Sequence, residues 1–186
     1  MNETWPSTFR VPVVECTGKE AWGIEHGRAG FTKIDAVLRN RPEVIINLDF
    51  AGVARFDSSC TREVVVNLLR KYKGVRCFFI TGIANESVRE NMDAAMLKSE
   101  VSVLQRTSKN GYEVLGVALK QHLRDTLDVV EKLRRTTSKE VADRLGSLAL
   151  PACINRLRDL TDAGLIMRAE GTADSGGREF LFAALR

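Results

Sequence analysis

The stretch VIINLDFAGVARFDSSC, residues 44–60, decides how the first half of this chain folds. Residues 43–50 are β-branched and almost continuously apolar, a pattern typical of a sheet strand that is covered on both faces. The run ends at Asp57-Ser58-Ser59, and helical periodicity begins directly after it. An acidic residue and two hydroxyls at this junction leave three interpretations open: a plain capping turn, a catalytic site, or a site of reversible phosphorylation.

Strand and helix patterns alternate on either side of this stretch. Strands are predicted at 11–16, 43–50 and 75–83, and helices at 31–40, 62–72 and 86–99. A glycine-punctuated segment, 21–31, separates the first strand from the first helix. The alternating order implies a parallel or mixed sheet with crossover helices. Asn110-Gly111 between two short apolar runs then predicts the turn of a β-hairpin.

From about Val117 the pattern becomes helical and ends in two short strands. The predicted elements are helices at 118–135, 139–146 and 150–163 and strands at 166–171 and 178–185, joined by the loop TADSGG. The pattern leaves open whether the first helix is interrupted near Arg124. Thr137 and Glu140 have the spacing of a capping box, and Gly146 and Gly164 are expected to end the second and third helices. Three helices followed by a hairpin in about 65 residues is the plan of a winged helix.

The segment PACINRLRDLTDAGLI, 151–166, resembles the third helix of winged helix-turn-helix transcription regulators, and the resemblance covers about 118–185. It implies that this helix enters the major groove of double-stranded DNA, with its amino-terminal residues reaching the base edges. The side expected to anchor the helix on its neighbours carries Ile154, Leu157, Leu160 and Leu165. The opposite side is expected to carry Pro151, Ala152, Asn155 and Arg156.

The predicted DNA contacts follow from side-chain chemistry. Asn155 can pair bidentately with adenine, and Arg156 can pair with guanine or with phosphate. The hairpin offers Arg178, with Arg168 at its base, to a neighbouring groove or to the backbone. The full predicted set is Pro151, Ala152, Asn155, Arg156, Arg158, Arg168 and Arg178. Two considerations count against DNA binding. Asp159 and Asp162 are expected on the same outer face, where their charges would repel phosphate. Winged helices also serve as protein-interaction modules.

The opening stretch has a family resemblance of its own. HGRAGF, IINLDFAGVARFDSS and NESVRENMDAA, within about 26–97, resemble the STAS domains of anti-sigma-factor antagonists and, more closely, their STAS-like relatives. In the antagonists the turn reads Asp-Ser-Ser-Gly or Asp-Ser-Thr-Gly, and a kinase phosphorylates the serine that follows the aspartate. The resemblance therefore implies a switch site at Asp57, Ser58 and Ser59, with Ser58 as the phosphorylated residue.

This chain departs from the antagonist pattern at one position, because Cys60 stands where the family has glycine. The STAS-like relatives need not be phosphorylated. Ser58 and Ser59 are then expected to cap a helix that starts near Thr61, and we favour capping over phosphorylation. Cys60 at the start of a helix is either a redox sensor with a lowered pKa or a buried thiol of the core, and we favour the buried thiol.

Composition limits the remaining function classes. The 186 residues are 44% hydrophobic and 28% charged, with a net charge of +4 and a pI of about 9.0, which permits contact with nucleic acid without requiring it. The cysteines and histidines form no CxxC pair and no metal-ligand spacing; they are Cys16, Cys60, Cys77, Cys153, His26 and His122. No cofactor or metal is expected. A GxSxG elbow and a phosphate loop are both missing from the sequence, so we predict that the protein is not an enzyme.

The sequence thus predicts two domains: an α/β STAS-like domain at about 10–112 and an α+β winged helix-turn-helix domain at about 118–186. The N-terminus lacks signal-peptide features and no apolar run reaches about 18 residues, so a cytoplasmic location without membrane contact is expected. The predicted function is a DNA-binding transcriptional regulator, a homodimer by resemblance, whose STAS-like domain senses a signal or mediates assembly. The alternative is a partner-switching protein that binds a kinase or another regulator and uses its winged helix as a protein dock.

Overall fold

The structure is a computed structural model that describes residues 7–107, 111–146, 148–172 and 176–186, apart from the side chains of residues 172 and 178. The chain divides into two compact units. The first ends at Ala118 and the second runs from Leu119 to Leu185. Both contain helices and strands, so the protein belongs to the mixed α/β class that the sequence predicted.

A five-stranded sheet in the order β1-β3-β5-β6-β7 forms the centre of the first unit. Its strands are β1 (Thr8–Pro12), β3 (Ile45–Asp49), β5 (Cys77–Thr81), β6 (Ser102–Arg106) and β7 (Tyr112–Gly116). The first four run parallel to one another, and β7 runs antiparallel to β6. The predicted mixed sheet is confirmed, as is the antiparallel pairing of the two strands around residue 110. Asn110 itself, the first residue of the predicted turn, lies outside the described residues.

Helical segments connect these strands, and a short parallel ladder joins two of the connections. The helical segments are α1 (Val13–Thr17), α2 (Gly23–Arg39), α3 (Ser58–Thr61), a π-helical turn (Arg62–Val66), α4 (Asn67–Lys71) and α5 (Glu86–Lys98). The ladder consists of β2 (Glu20–Ala21) and β4 (Arg55–Phe56). α3, the π turn and α4 follow one another without interruption, so residues 58–71 form one continuous helical segment.

Two boundaries in the first unit differ from prediction. The strand expected at 11–16 ends at Pro12, and the apolar residues that follow turn into α1. The helix expected from residue 31 starts at Gly23, eight residues earlier. Periodicity missed this start because glycine lowers helix propensity, and the glycines of α2 are needed for packing instead.

Those glycines let α2 lie very close to its neighbours. A Cβ at Gly27 would lie 2.6 Å from the Cβ of Glu63 and 3.1 Å from the Cα of Cys60. A Cβ at Gly30 would lie 2.6 Å from the Thr17 methyl carbon. Since real Cβ atoms do not approach below 3.0 Å, the helices reach this separation only with glycine at both positions. The HGRAGF segment is therefore a helix–helix contact.

The core of the first unit lies between the sheet and these helices. Alternate strand residues supply it, with Ile46 and Leu48 from β3 and Phe78 and Ile80 from β5. On the opposite face Ile45 and Phe79 are also buried, as the apolar pattern predicted, whereas Asn47, between Ile46 and Leu48, is half-buried. The predicted inner face of α5 is confirmed, since Val88, Met92, Ala95 and Met96 are all buried. Each fully buried large side chain contributes about 1.5–3 kcal/mol.

The second unit consists of three helices and a three-stranded antiparallel sheet in the order β8-β10-β9. Its elements are α6 (Gln121–Leu133), β8 (Arg135–Thr137), α7 (Ser138–Arg144), α8 (Leu150–Asp162), β9 (Ile166–Thr172) and β10 (Arg178–Ala184). α6 continues through Arg124 without a break. Thr137 and Glu140 form the predicted capping box, and Gly164 follows α8 with a φ of 71°, a conformation that favours glycine.

One strand of the second unit escaped prediction. β8 has only three residues, too few to show alternation, and it is recognisable only through its pairing with β10. Thr136, opposite Phe182, is buried. Half of the predicted loop between β9 and β10, residues 173–175, lies outside the described part of the chain.

Candidate functional site

The inner face of α8 differs from its predicted composition at one residue. Leu157 and Leu160 are fully buried as expected, and so is Leu165 after the helix. Ile154 is 44% exposed, and Cys153 takes the buried place instead. Cys153, Leu157 and Leu160 are separated by four and then three residues, so they stay on one face of a helix with 3.6 residues per turn. Ile154 is separated from Leu157 by three residues, as Leu157 is from Leu160, and two successive spacings of three move a side chain off that face. The Cys153 thiol also donates a hydrogen bond to the Ser138 carbonyl oxygen of α7, at 3.3 Å.

The outer face of α8 presents Pro151, Asn155 and Arg158 to solvent, while Ala152 and Arg156 are half-buried at its flank. Burial raises the pKa of the Cys153 thiol, and the nearby charge of Arg156 opposes the shift, as expected for a flanking guanidinium. The five predicted contact residues of this helix thus divide into an outward group of three and a flanking pair.

Arg158 is the cation at the centre of the outward face, and its guanidinium is hydrogen-bonded to Asn155. Its Nη2 donates to the amide oxygen of Asn155 at 3.0 Å. Asp159 and Asp162 are exposed on the same helix, as predicted, towards its carboxyl end. The face is therefore polar and cationic in its middle and acidic at its far end.

The hairpin supplies one described cation. Arg168 on β9 is exposed, and its guanidinium carbon lies 4.7 Å from the ring centre of Phe180 on β10. Such a cation–π contact orients the guanidinium over the sheet. Arg178 is the first residue of β10, but its side chain lies outside the described residues.

A second candidate site is the Asp57 turn of the first unit. Asp57 is the residue before α3, and its Oδ1 accepts a hydrogen bond from the Cys60 N–H at 2.8 Å. Its Oδ2 accepts from the Gly23 N–H at 2.9 Å, at the start of α2. The prediction that Ser58 and Ser59 cap a helix near Thr61 is wrong. The helix starts at Ser58, so the residue in capping position is the aspartate, whose carboxylate is long enough to reach the third amide.

The short β2–β4 ladder explains why one carboxylate reaches two helices. Ala21 pairs with Phe56 in parallel register, so the next residues of both segments lie side by side as α2 and α3 begin. Burial disfavours the charged form of Asp57, but hydrogen bonds from the backbone of Cys60 and Gly23 outweigh this effect and lower its pKa. Asp57 is thus an ionised link between the amino ends of two helices.

Ser58 is the accessible hydroxyl of this turn. It is exposed, and its Oγ donates to the Asn91 carbonyl oxygen of α5 at 3.4 Å, the long end of hydrogen-bond range. Beside the turn, Trp22 is 46% exposed, with the centre of its ring 5.0 Å from the Arg55 guanidinium carbon and 5.0 Å from the centre of the His26 ring. Sequence reasoning missed this Trp22–Arg55 pair, since the two residues meet only through the β2–β4 ladder.

The buried-thiol interpretation of Cys60 is confirmed. The residue is fully buried, and its thiol donates to the Gly23 carbonyl oxygen at 3.2 Å. Burial, with the charge of Asp57 added, raises the pKa of the thiol to about 12. A lowered pKa, as a redox sensor requires, is therefore not what this helix start produces.

In the described part of the chain, Ser58 and His26 each have a hydrogen-bond partner other than the other residue. The Ser58 hydroxyl is directed to a backbone carbonyl, whereas His26 accepts a hydrogen bond from the Trp22 N–H at its Nδ1, at 3.3 Å. Among the described residues, no three His, Cys, Asp or Glu side chains come together as a metal site requires.

No protein-family model, curated protein or solved structure matches the chain. Across the described ranges, none of the helices has the length and apolar character needed to cross a membrane.

Proposed function

We propose that this protein is a DNA-binding transcriptional regulator. Its second unit acts as a winged helix whose α8 reads duplex DNA, and its first, STAS-like unit senses a signal or mediates assembly. The observation that carries the proposal is the outward face of α8, where Asn155 and Arg158 stand exposed on a helix held in place by three buried residues on its other side.

Geometry supports this role for α8. The helix is 13 residues long, about 20 Å at 1.5 Å per residue, and its exposed amino-terminal half fits a major groove about 12 Å wide. The β9–β10 hairpin follows directly and carries Arg168 for the phosphate backbone. The acidic pair Asp159 and Asp162 lies towards the carboxyl end, so entry by the amino end keeps these carboxylates away from the groove floor.

The first unit fits the role of a regulatory or assembly module. Its alternating strands and helices, with an exposed serine at the first position of a helix, provide a surface that a modifying enzyme or a second subunit can reach. A phosphate on Ser58 adds about −1.5 to −2 charges next to the ionised Asp57. We propose a cytoplasmic homodimer, the arrangement that paired operator half-sites require.

Electrophoretic mobility shift against random duplex DNA at two salt concentrations tests the proposal. A regulator that neutralises several phosphates binds much more weakly at the higher salt. Arg156→Ala should weaken binding by roughly 1–3 kcal/mol if the side chain contacts a base, and by less if it contacts phosphate alone. Lys98→Ala, which removes one exposed charge at the end of α5, is the matched control and should leave binding unchanged.

The second candidate is a partner-switching protein that binds a kinase or another regulator through the second unit. The observation that favours it is the mixed surface of α8, on which the apolar Leu150 and Ile154 and the acidic Asp159 and Asp162 are all exposed. If the double variant Asn155→Ala/Arg156→Ala keeps the fold and binds DNA as tightly as the parent, this candidate replaces the first.

We propose that the protein has no catalytic activity of its own. The described histidines are not hydrogen-bonded to the serines of the Asp57 turn, and the Cys60 thiol is buried. The test is turnover of generic ester, phosphate and nucleotide substrates by the purified protein. Turnover that Ser58→Ala abolishes would replace the regulator with an enzyme.

A further inference from the structure

The outward face of α8 carries an exposed apolar pair that the fold does not use. Leu150 and Ile154 are each 44% exposed, one helical turn apart, in the half of α8 proposed to enter the groove. Large aliphatic side chains in this position contribute little to the core. Their chemistry suits an apolar group on whatever docks there.

A polar row runs beside this pair and ends in an oriented amide. Asn155 lies one residue after Ile154, and the guanidinium of Arg158 donates to its amide oxygen at 3.0 Å. Arginine has only donors, so this contact identifies the oxygen and orients the amide. A carbonyl oxygen has two lone pairs, and the second remains able to accept from the exocyclic amine of a base while the amide N–H2 donates.

We infer that, if the second unit binds DNA as proposed, the outward face of α8 prefers A·T base pairs. Leu150 and Ile154 contact thymine methyl groups, and Asn155 pairs with adenine. In the major groove only thymine offers a methyl group, and the bidentate partner of an asparagine amide is the adenine N6/N7 edge. From Leu150 to Arg158 the helix spans about 12 Å, the length of three to four base-pair steps. The preferred core is therefore a short A·T-rich segment in each half-site.

Base analogues separate the two contacts. High-affinity duplexes are first selected from a random pool with the full-length protein. Uracil in place of thymine removes the C5-methyl group alone, and 7-deazaadenine in place of adenine removes the N7 acceptor alone. Each lost methyl contact should weaken binding about fourfold, the factor for one CH2-sized group. Losing the N7 half of one asparagine–adenine pair should weaken binding about 2- to 13-fold, half of the free energy of a complete bidentate pair.

Matched variants assign each effect to its residue. Ile154→Ala should lose the preference for thymine over uracil at the base pair that it contacts while Leu150 keeps the preference at its own, and Asn155→Ala should be insensitive to 7-deazaadenine. Both residues are exposed, so both variants are expected to fold, and circular dichroism checks that they do. Leu97→Ala removes an exposed leucine of the first unit and should keep the full sensitivity of the parent to both analogues.

The outcomes distinguish this inference from the proposal on which it rests. Selected sites with A·T cores, together with analogue effects that disappear in the matching variant, support both. Tight, salt-sensitive binding to G·C-rich sites, or to A·T sites without an analogue effect, overturns the inference and leaves the regulator in place. Failure to retain any duplex at low salt overturns both and points to a protein partner on the apolar pair.

Discussion

Replacing Asp57 with alanine should destabilise the first unit by about 2 kcal/mol, although the residue lies in a surface turn. Two backbone N–H groups lose their acceptor in Asp57→Ala. The Cys60 N–H is the capped amide of a helix, and losing such a cap costs about 1 kcal/mol. The Gly23 N–H at the start of α2 is half-buried, and losing its partner costs about another 1 kcal/mol.

Urea unfolding followed by tryptophan fluorescence measures this loss. In a Trp5→Phe background the signal comes from Trp22, which directly precedes Gly23. With a slope of about 2 kcal/mol per M, the unfolding midpoint should fall by about 1 M. Ser58→Ala is the matched control, because its exposed hydroxyl makes only one long hydrogen bond, and it should change stability by less than about 0.5 kcal/mol. Asp57→Asn keeps one acceptor and should fall between the two.

The pH dependence gives an independent check. Because the pKa of Asp57 lies below its ordinary value of 3.8 in the folded protein, the contribution of this carboxylate is complete above that value. It is lost as the pH falls through the lowered pKa, so the difference between parent and Asp57→Ala should shrink in acid. Equal midpoints for Asp57→Ala and Ser58→Ala at neutral pH would refute the assignment of Asp57 as the link between the two helices.

Three further predictions concern the same unit. Gly27→Ala should destabilise it by up to about 2 kcal/mol, because the new Cβ meets Glu63 at 2.6 Å and the cost of overpacking exceeds the gain in helix propensity. Urea titration checks this against Gly177→Ala, where nothing lies within 4 Å. Iodoacetamide at pH 8 should not label Cys60 until the protein unfolds, since burial raises its pKa to about 12, and mass spectrometry of native and denatured samples decides this. Ser58→Asp supplies about one charge, and we expect it to match Ser58→Ala in light scattering and DNA titration; divergence between them would establish a working switch.

Where burial is continuous, the sequence was sufficient to predict the element. Apolar residues of β3 and β5 are buried on both faces of the sheet, and α5 places four apolar side chains on one stripe, so their patterns predict these elements without help from tertiary contacts. α1 and the start of α2 were missed for the opposite reason. Their local preferences favour strand and loop, whereas the close approach of Gly30 to Thr17 of α1 and of Gly27 to Glu63, 36 residues later, exists only in the folded protein.

The candidate sites show the same division. Asn155 was predicted on the outer face from helix spacing and Arg158 as a DNA contact from its residue type, and the structure places both on the outer face of α8, whereas Arg156, also predicted there, lies at the flank. Ile154 was assigned to the wrong face because isoleucine is more hydrophobic than cysteine, although the position of Cys153 fits the buried face better. The role of Asp57 depends on Gly23, whose position beside it follows from a two-residue ladder that leaves no periodic signal.

The π-helical turn at Arg62–Val66 makes chain length less of a constraint at this point than elsewhere in the helical segment 58–71. A π turn holds one residue more than the α-helical turn it replaces, so deleting one residue within it would let the segment continue as a regular α-helix. The two ends of the segment would keep nearly the same rotational phase, so Asp57 would still face Gly23 while Leu68 stayed in the core. A deletion elsewhere in the segment would instead rotate one end by about 100° relative to the other. Among related genes, single-residue deletions in this segment should therefore fall within Arg62–Val66.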